Sequence, residues 1–122
     1  MTRLAFIGFG EAGQAFAQGL QLEAGTARAY DIKFDMSEQA SAIRTASERL
    51  HVETAASSKD AVSEADLVFC LVPTDQSVAA AEASARHLKP GALWLDGSSS
   101  SPGRKREAAS LIDARHGYYV DM

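Results

Sequence analysis

The stretch of sequence that decides the fold is Arg3-Leu4-Ala5-Phe6-Ile7-Gly8-Phe9-Gly10-Glu11-Ala12-Gly13-Gln14-Ala15-Phe16-Ala17. In it an apolar run of strand length meets three glycines spaced G-x-G-x-x-G, and the apolar spacing then changes to a helical period. A strand, a glycine turn and a helix in that order are typical of the opening of a dinucleotide-binding unit. We assign Gly8 to the tight turn, Gly10 to the close approach of a pyrophosphate, and Gly13 to close packing of the helix on the strand. The free amides of the first helical turn, around Glu11 and Ala12, favour an anion at the same place.

A carboxylate stands where such a unit holds the adenosine ribose. The segment 27–32 reads as a second strand, and Asp31 lies near its carboxyl end, at the expected distance after Gly13. There Asp31 can accept both hydrogen bonds of a ribose diol, and its charge repels a 2′-phosphate, so the sequence favours NAD over NADP. Lys33 partly offsets that charge and leaves NADP open, and the alternative for Asp31 is a plain turn residue.

The length and composition of the chain indicate one soluble globular domain over residues 1–122. Apolar residues make up 46% of the chain and charged residues 23%, and the net charge is −4. An acidic chain lacks the basic footprint of a nucleic-acid-binding protein, and we expect no nucleic acid as a partner. No apolar run resembles a signal peptide or reaches membrane-spanning length, so a cytoplasmic protein without a membrane partner is the expectation. Cys70 lies in an apolar strand and reads as a small core residue.

Strands and helices alternate along the rest of the chain. Further strands are predicted at residues 51–54, 66–73, 92–96 and 117–121. The consecutive apolar residues from Leu67 to Val72 indicate a strand that is covered on both faces. Right-handed crossovers then dictate an α/β fold, a doubly wound parallel (Rossmann) sheet of strand order 3-2-1-4-5-6 with helices on both faces. Three loops meet at the carboxyl ends of its strands, at residues 8–13, 71–74 and 96–101. The sequence shows no cluster of metal ligands.

Polar residues and prolines at the helix ends predict where the helices begin and end. The first helix is expected to run to about Glu23, with Gly25 as its stop. The expected N-terminal caps are Asp35 with Glu38, Ser57 with Asp60, Thr74 or Asp75, and Ser101 followed by Pro102 in the first helical position.

The three loops together resemble those of a known family, the β-hydroxyacid dehydrogenases, which include 3-hydroxyisobutyrate and 6-phosphogluconate dehydrogenases. The likeness is to their cofactor-binding domain, it covers the whole chain, and it is closer still to the 6-phosphogluconate dehydrogenase-like proteins. The loop after the fifth strand is similar to the family's Asp-x-Ser-Thr-x-x-Pro signature, with Ser99 in the Thr place. The matching pieces, in order, are Phe6–Gly13, Leu71-Val72-Pro73-Thr74, Asp96-Gly97-Ser98-Ser99 with Pro102, and Val120-Asp121.

The resemblance implies roles for the residues of these loops. A nicotinamide cofactor would be held by Gly8, Phe9, Gly10, Glu11, Ala12, Gly13, Asp31, Leu71, Val72 and Pro73. A small carboxylate-bearing substrate would be held by Ser98 together with the backbone of Ser99, through its carboxylate or its hydroxyl. A flexible polar loop that only caps the following helix is the alternative for these serines, above all for Ser100 and Ser101.

The resemblance also implies what this chain does not contain. In the family, a lysine on a second, helical domain handles the proton while a hydride passes between a 3-hydroxy acid and the nicotinamide. None of the lysines present stands in that context, so we expect no catalytic residue here and little or no turnover by the chain alone. The helical domain also carries the dimer surface in relatives, which predicts a homodimeric parent protein.

Two other functions remain open from the sequence. A nucleotide-binding or interaction module without catalysis would keep the same glycine turn and the same acidic residue. A methyltransferase that uses S-adenosylmethionine also has a glycine turn and an acidic second-strand end, but rarely has a serine loop of this kind after the fifth strand.

Overall fold

Six parallel strands form one sheet in the computed structural model, which describes residues 2–122 apart from the side chain of Ser37. The described strands and α-helices are, in chain order, β1 (Leu4–Ile7), α1 (Glu11–Leu20), β2 (Ala27–Tyr30), α2 (Ser37–Arg49), β3 (Val52–Thr54), α3 (Ser58–Val62), β4 (Leu67–Cys70), α4 (Ser77–Ala85), β5 (Leu93–Asp96), α5 (Pro102–Asp113) and β6 (Tyr118–Asp121). Short 3₁₀ turns at Ile32–Asp35 and Thr74–Gln76 precede α2 and α4. The strand order is β3-β2-β1-β4-β5-β6, which confirms the predicted topology.

The helices cover both faces of the sheet because the strand order reverses between β1 and β4 while all crossovers keep the same hand. On one face, Phe6 and Phe69 of the central strands stack with ring centroids 5.3 Å apart and share a core with Ala17 of α1 and Ile43 of α2. The opposite face packs against α3, α4 and α5 around the fully buried Trp94. Both faces of β4 are therefore covered, as its unbroken apolar sequence predicts.

The first helix ends earlier than predicted. Gln21 ends α1 in the left-handed conformation, with φ of 51°, and its amide donates to the Gln18 carbonyl. The expected stop at Glu23 and Gly25 is therefore wrong. Leu22 packs partly buried against the core, and this tertiary contact accompanies the early turn of the chain.

The cap predicted for the second helix is also wrong. Asp35 lies inside the 3₁₀ turn, and α2 begins after Met36 without a side-chain cap. The turn is itself capped by Asp31, which accepts a hydrogen bond from the Lys33 amide at 2.9 Å. Burial of Phe34 in the core holds the segment in this tighter form, a constraint that the local sequence pattern does not reveal.

Neither residue expected to cap the fourth helix does so. Thr74 and Asp75 both lie within the second 3₁₀ turn, and α4 begins at Ser77 without a side-chain cap. Ser77 is buried, and its hydroxyl donates to the Thr74 carbonyl at 3.1 Å, so a backbone acceptor organises this turn.

Two predicted caps are confirmed. Ser57 accepts a hydrogen bond from the Asp60 amide at 3.1 Å at the start of α3. Ser101 accepts one from the Arg104 amide at 3.3 Å, with Pro102 in the first position of α5. Across the described residues 2–122, no helix is both long and apolar enough to span a membrane.

Candidate functional site

The glycine turn between β1 and α1 has the geometry that its spacing predicts. Gly8 has a φ of +90°, and a Cβ there would lie 2.7 Å from the Leu71 carbonyl oxygen. A Cβ on Gly13 would lie 2.7 Å from the Gly8 carbonyl oxygen, so the helix approaches the strand more closely than any side chain allows. A Cβ on Gly10 would meet no atom within 4 Å. Gly10 therefore leaves open space where the other two glycines are enclosed by backbone.

The amino end of α1 faces this open space with uncapped amides. Gly10 is the N-cap residue and supplies no side chain, and the Gln14 amide is the donor to the Gly10 carbonyl, at 3.0 Å. Glu11 and Ala12 are exposed in the first turn, where amides have no partner in the preceding turn. Such amides, together with the helix dipole, can bind an anion.

Asp31 lies directly beside the glycine turn. It is buried, with 8% of its surface exposed. Its Oδ2 accepts a hydrogen bond from the Phe9 amide at 2.8 Å, and its Oδ1 accepts one from the Lys33 amide at 2.9 Å. Each carboxylate oxygen has two lone pairs, so both oxygens can accept a further hydrogen bond from a ligand hydroxyl.

A cleft of about 270 Å³ lies at this end of the sheet. Its lining residues are Gly8, Gly10, Glu11, Ala12, Asp31, Lys33, Leu71, Val72, Pro73 and Gln76. Eight of the ten residues predicted to hold a cofactor line it, while Phe9 and Gly13 are buried behind it. Gln76 was missed because its place depends on the 3₁₀ turn after Pro73, for which the sequence carries no signal.

A larger depression of about 570 Å³ lies at the opposite end of the sheet, lined by Arg44, Glu48, His51 and neighbouring residues. It flanks the starts of β2 and β3. Ligands of open parallel sheets bind at the carboxyl ends of the strands, so we place the site at the smaller cleft.

The serine loop after β5 lies against the segment that lines the cleft. The Gly97 amide donates to the Cys70 carbonyl at 2.9 Å, and a Cβ on Gly97 would lie 2.5 Å from the Leu71 side chain. The Ser100 hydroxyl contacts the Thr74 carbonyl at 3.4 Å. The three loops that were expected to meet are therefore adjacent.

Most of the serines in this loop are engaged within the protein. The Ser98 hydroxyl donates to Asp96 Oδ1 at 2.6 Å and lies 2.8 Å from the Ser100 hydroxyl. Ser100 in turn donates to the Ser77 hydroxyl at 2.7 Å. All four of these side chains are buried, whereas Ser99 is exposed. Ser100 is thus bonded inside the protein and is not the cap of α5, a role that Ser101 has, and substrate contact by Ser98 and Ser99 stays a prediction.

Tyr119 on β6 completes this network, and sequence reasoning missed it. Its hydroxyl donates to Asp96 Oδ2 at 2.6 Å. Burial, followed by the hydrogen bond to the Asp96 carboxylate, raises the pKa of Tyr119 well above its usual range. Trp94 and Tyr119 are paired across β5 and β6, a register that is decided only when the sheet assembles.

The basic residues at the start of α5 are partly compensated by neighbours. An Arg104 Nη1 hydrogen donates to the Thr74 carbonyl at 3.2 Å, and Lys105 forms an ion pair with Asp121. Arg106 is exposed. Arg104 therefore brings a guanidinium group to the edge of the serine loop.

Comparison with known proteins gives a match along nearly the whole chain. Residues 3–122 match the family model described as the NAD binding domain of 6-phosphogluconate dehydrogenase. Among curated proteins, none matches the sequence.

Similar solved structures are longer proteins that contain a domain of this fold. A conserved hypothetical protein from Sinorhizobium meliloti 1021 is 36% identical, with a TM-score of 0.91 over 99% of this chain and 40% of that one. A 3-hydroxyisobutyrate dehydrogenase from Mycobacterium tuberculosis, solved with L-serine, is 24% identical with a TM-score of 0.80 over 99% and 40%. An imine reductase from Myxococcus stipitatus, in complex with NADP⁺, is 24% identical with a TM-score of 0.68 over 98% and 39%. The chain thus spans about 40% of the length of these proteins.

Proposed function

This chain belongs to the family of the NAD-binding domain of 6-phosphogluconate dehydrogenase, and from that premise we propose that it is the cofactor-binding part of an oxidoreductase acting on a 3-hydroxy acid. In this proposal a hydride passes between the hydroxy acid and a nicotinamide. The observation that carries it is the adjacency of two features, the cleft bounded by the glycine turn and Asp31, and the serine loop after β5.

The residues around the cleft fit a dinucleotide. The open space at Gly10 admits a phosphate close to the backbone, and the amides of the first turn of α1 can donate to it. Asp31 can accept from a ribose diol with the lone pairs that Phe9 and Lys33 leave free. Leu71, Val72 and Pro73 supply the apolar wall that such clefts need. When bound, the nicotinamide supplies the group that accepts or donates the hydride.

We propose NAD as the preferred cofactor, with NADP as the alternative. The Asp31 carboxylate lies at the cleft wall and is fixed there by two backbone amides, so it cannot swing away from a 2′-phosphate. The like charges would repel each other in the partly buried cleft. Lys33 also lines the cleft and is exposed, and its positive charge would attract a 2′-phosphate.

The substrate part of the proposal concerns the serine loop. Ser98 and Ser99 would contact a small carboxylate-bearing substrate beside the nicotinamide, since their loop adjoins the segment 71–74 that walls the cleft. We further propose that the proton is handled by a lysine elsewhere in a longer protein, that this protein is a homodimer, and that the 122-residue chain alone turns over little substrate. The chain spans about 40% of the length of similar solved proteins, which supports the assignment of these functions to another part of a longer protein.

Titration of the chain with NADH and NADPH tests the proposal. Gly10→Ala adds a methyl group where it meets no protein atom but would meet the phosphates, so we expect at least a tenfold loss of NADH affinity with folding unchanged. The matched control is Gly19→Ala on the same helix, which also meets no atom within 4 Å and should bind NADH like the parent chain. If folded protein binds neither dinucleotide at millimolar concentration, the proposal fails. Binding of S-adenosylmethionine instead would favour the methyltransferase interpretation.

A further inference from the structure

The strands β5 and β6 are covered by helices on one face only. On the face around Trp94, α3, α4 and α5 pack against the sheet. The residues buried on the opposite face come from β1 to β4, from α1 and α2, and from the loops beside them. On that second face Leu95 is only partly buried, and Tyr118 and Val120 are exposed. In the described part of the chain, no helix therefore packs on this face over β5 and β6.

The side chains on the uncovered face are all apolar. In neighbouring parallel strands, residues paired in register point to the same face of the sheet. Three pairs lie across β5 and β6 on this side, and we call these six residues the open face: Leu93 with Tyr118, Leu95 with Val120, and Gly97 with Met122. A Cβ on Gly97 would lie 2.8 Å from the Met122 side chain, so the methionine covers the glycine. The open face contains no charged residue that would keep an apolar partner away.

The helix α1 stands beside the open face and adds an apolar ridge to it. The Phe16 ring lies 5.6 Å from the Phe69 ring of β4, centroid to centroid, and is 40% exposed. Leu20, one turn further along the same side of the helix, is 46% exposed. A helix with its side chains is about 10 Å across, so Phe16 and Leu20 stand above the strands that they border. The molecule thus has a ridge and a floor next to each other.

The exposed apolar area of this ridge and floor is large for a protein of this size. Five of the side chains keep between 39% and 60% of their surface exposed: Phe16, Leu20, Tyr118, Val120 and Met122. At about 200 Å² for a large apolar side chain, these five together present about 500 Å². An apolar patch of about 300–600 Å² on a protein surface is often an interaction site. The partly exposed Leu93 and Leu95 add to this area and bring it toward the roughly 800 Å² that each partner contributes to a specific interface.

The surface is complementary to itself, and this favours a second copy of the chain as its occupant. A two-fold axis brings the same surface of two copies together, so that every contact occurs twice. The ridge of one copy can then lie over β5 and β6 of the other, where no helix of the same chain packs. The reverse contact forms at the same time. Both apolar parts of the surface leave water in one arrangement.

We propose that two copies of this chain pair through this surface, with Phe16 and Leu20 of each copy packed on Leu95 and Val120 of the other. The surface lies within the present chain and differs from the dimer surface that the resemblance implies for a helical domain. The pairing needs no bound cofactor. It can therefore fail while the proposed cofactor function stands, and NADH titration reports on that function separately.

Sedimentation equilibrium of the chain without cofactor measures the pairing. The apparent mass should rise with protein concentration toward twice the 13.0 kDa of one chain. An interface of this size predicts a dissociation constant of about 1–100 µM. A mass that stays at that of one chain up to about 1 mM overturns the inference and leaves the open face to a partner of a different kind.

Two variants that place a charge in the interface identify the surfaces that meet. Leu20→Glu alters the ridge and Val120→Lys alters the floor, and each should weaken the association about tenfold or more, because a charge would be buried without a partner. The matched control is Gln18→Glu, which adds the same charge at an exposed position on the opposite side of α1 and should associate like the parent chain. Far-UV circular dichroism confirms the fold of each variant. Leu20→Ser replaces Leu20→Glu if the latter does not fold.

A mixture of the two charged variants tests whether the ridge lies on the floor. In a mixed pair the new charges have opposite signs and face each other at one of the two contacts, and the other contact stays apolar. The mixed pair should therefore associate more strongly than either variant alone. A mixture no stronger than its components overturns the proposed contact. So does an association that survives Leu20→Glu, and if Val120→Lys alone weakens it, the two copies pair through the free edge of β6 instead.

Discussion

The carboxylate of Asp31 accepts a hydrogen bond from the backbone amide of Phe9 at 2.8 Å, in a buried position. This bond ties the end of β2 to the glycine turn that follows β1. The side chain proposed to recognise a ribose thus also holds the turn proposed to receive the phosphates. The proposed function therefore couples cofactor binding to folding at Asp31, and variants of this residue should report on both.

Asp31→Asn is expected to destabilise the chain and to shift its cofactor preference. The amide group of asparagine presents hydrogens to one of the two backbone donors, which loses a buried hydrogen bond worth about 1–3 kcal/mol. Loss of the negative charge should also raise NADPH affinity relative to NADH. Urea unfolding and parallel titrations measure the two effects. The control is Asp75→Asn, an exposed residue near the cleft, and equal behaviour of the two variants would contradict the prediction.

Two glycines on α1 should respond in opposite directions to the same substitution. Gly13→Ala places a methyl carbon 2.7 Å from the Gly8 carbonyl oxygen, and forcing helix and strand apart should cost about 1–3 kcal/mol. Gly19→Ala meets no atom within 4 Å and should stabilise the helix by about 0.5–1 kcal/mol. Denaturant unfolding measures whether the free energy of unfolding falls for Gly13→Ala and rises for Gly19→Ala. A Gly13→Ala chain as stable as the parent would refute the close approach.

Cys70 should be chemically inert in the folded chain. Its side chain is fully buried, and burial, followed by the Asp96 charge, raises the pKa of the thiol to about 12. Since the thiolate is the reactive form, iodoacetamide at about pH 8 should leave the native protein unmodified and label it in urea. Mass spectrometry distinguishes the two. Fast labelling of native protein would show that the core around β4 opens readily.

Asp66 should contribute to stability at neutral pH and lose that contribution in acid. The Lys89 side chain, then the Arg3 amide at 2.7 Å, hold the pKa of Asp66 below its usual value. A carboxyl group whose pKa is lower in the folded state than in the unfolded state stabilises the folded protein at pH values above its unfolded-state pKa of about 3.9. That contribution to stability disappears as the pH falls through the pKa that Asp66 has in the folded state. Asp66→Asn should therefore lower the Tm at about pH 7 and make no difference at about pH 2.

High salt supplies the control for the Asp66 prediction. The carboxylate and the ammonium are both exposed, so their attraction is screened by ions. The difference in Tm between Asp66→Asn and the parent chain should shrink in about 1 M salt. A difference that persists unchanged in acid would assign the effect to something other than this charge.

Much of the architecture could be read from the sequence because it depends on local periodicity. Unbroken apolar residues predict the strand at residues 67–70. The spacing of Gly8 and Gly13 predicts the turn and the close approach of helix and strand. The sequence predicted the helix boundaries less well. Asp35 has the right neighbours for a cap, but burial of Phe34 places it inside a 3₁₀ turn. Competition between a local cap and a tertiary contact cannot be judged from residue order.

The residues of the candidate site also fall into those that the sequence predicted and those that it did not. Eight of the ten predicted cofactor residues do line one cleft, because the carboxyl ends of adjacent parallel strands must meet. Gln76 and Tyr119 were not predicted. Gln76 reaches the cleft only through an irregular turn, and Tyr119 meets Asp96 only through the pairing of β5 with β6.

The sequence by itself determined the strand order, the glycine turn and the place of Asp31, since alternation, spacing and crossover handedness follow from chain geometry alone. Only the tertiary structure decided that Ser100 bonds to Ser77 and that the Tyr119 hydroxyl donates to the Asp96 carboxylate. Whether a hydrogen bond forms depends on tenths of an ångström, and the distance between Tyr119 and Asp96, 23 residues apart in the chain, is set only once β5 and β6 have paired.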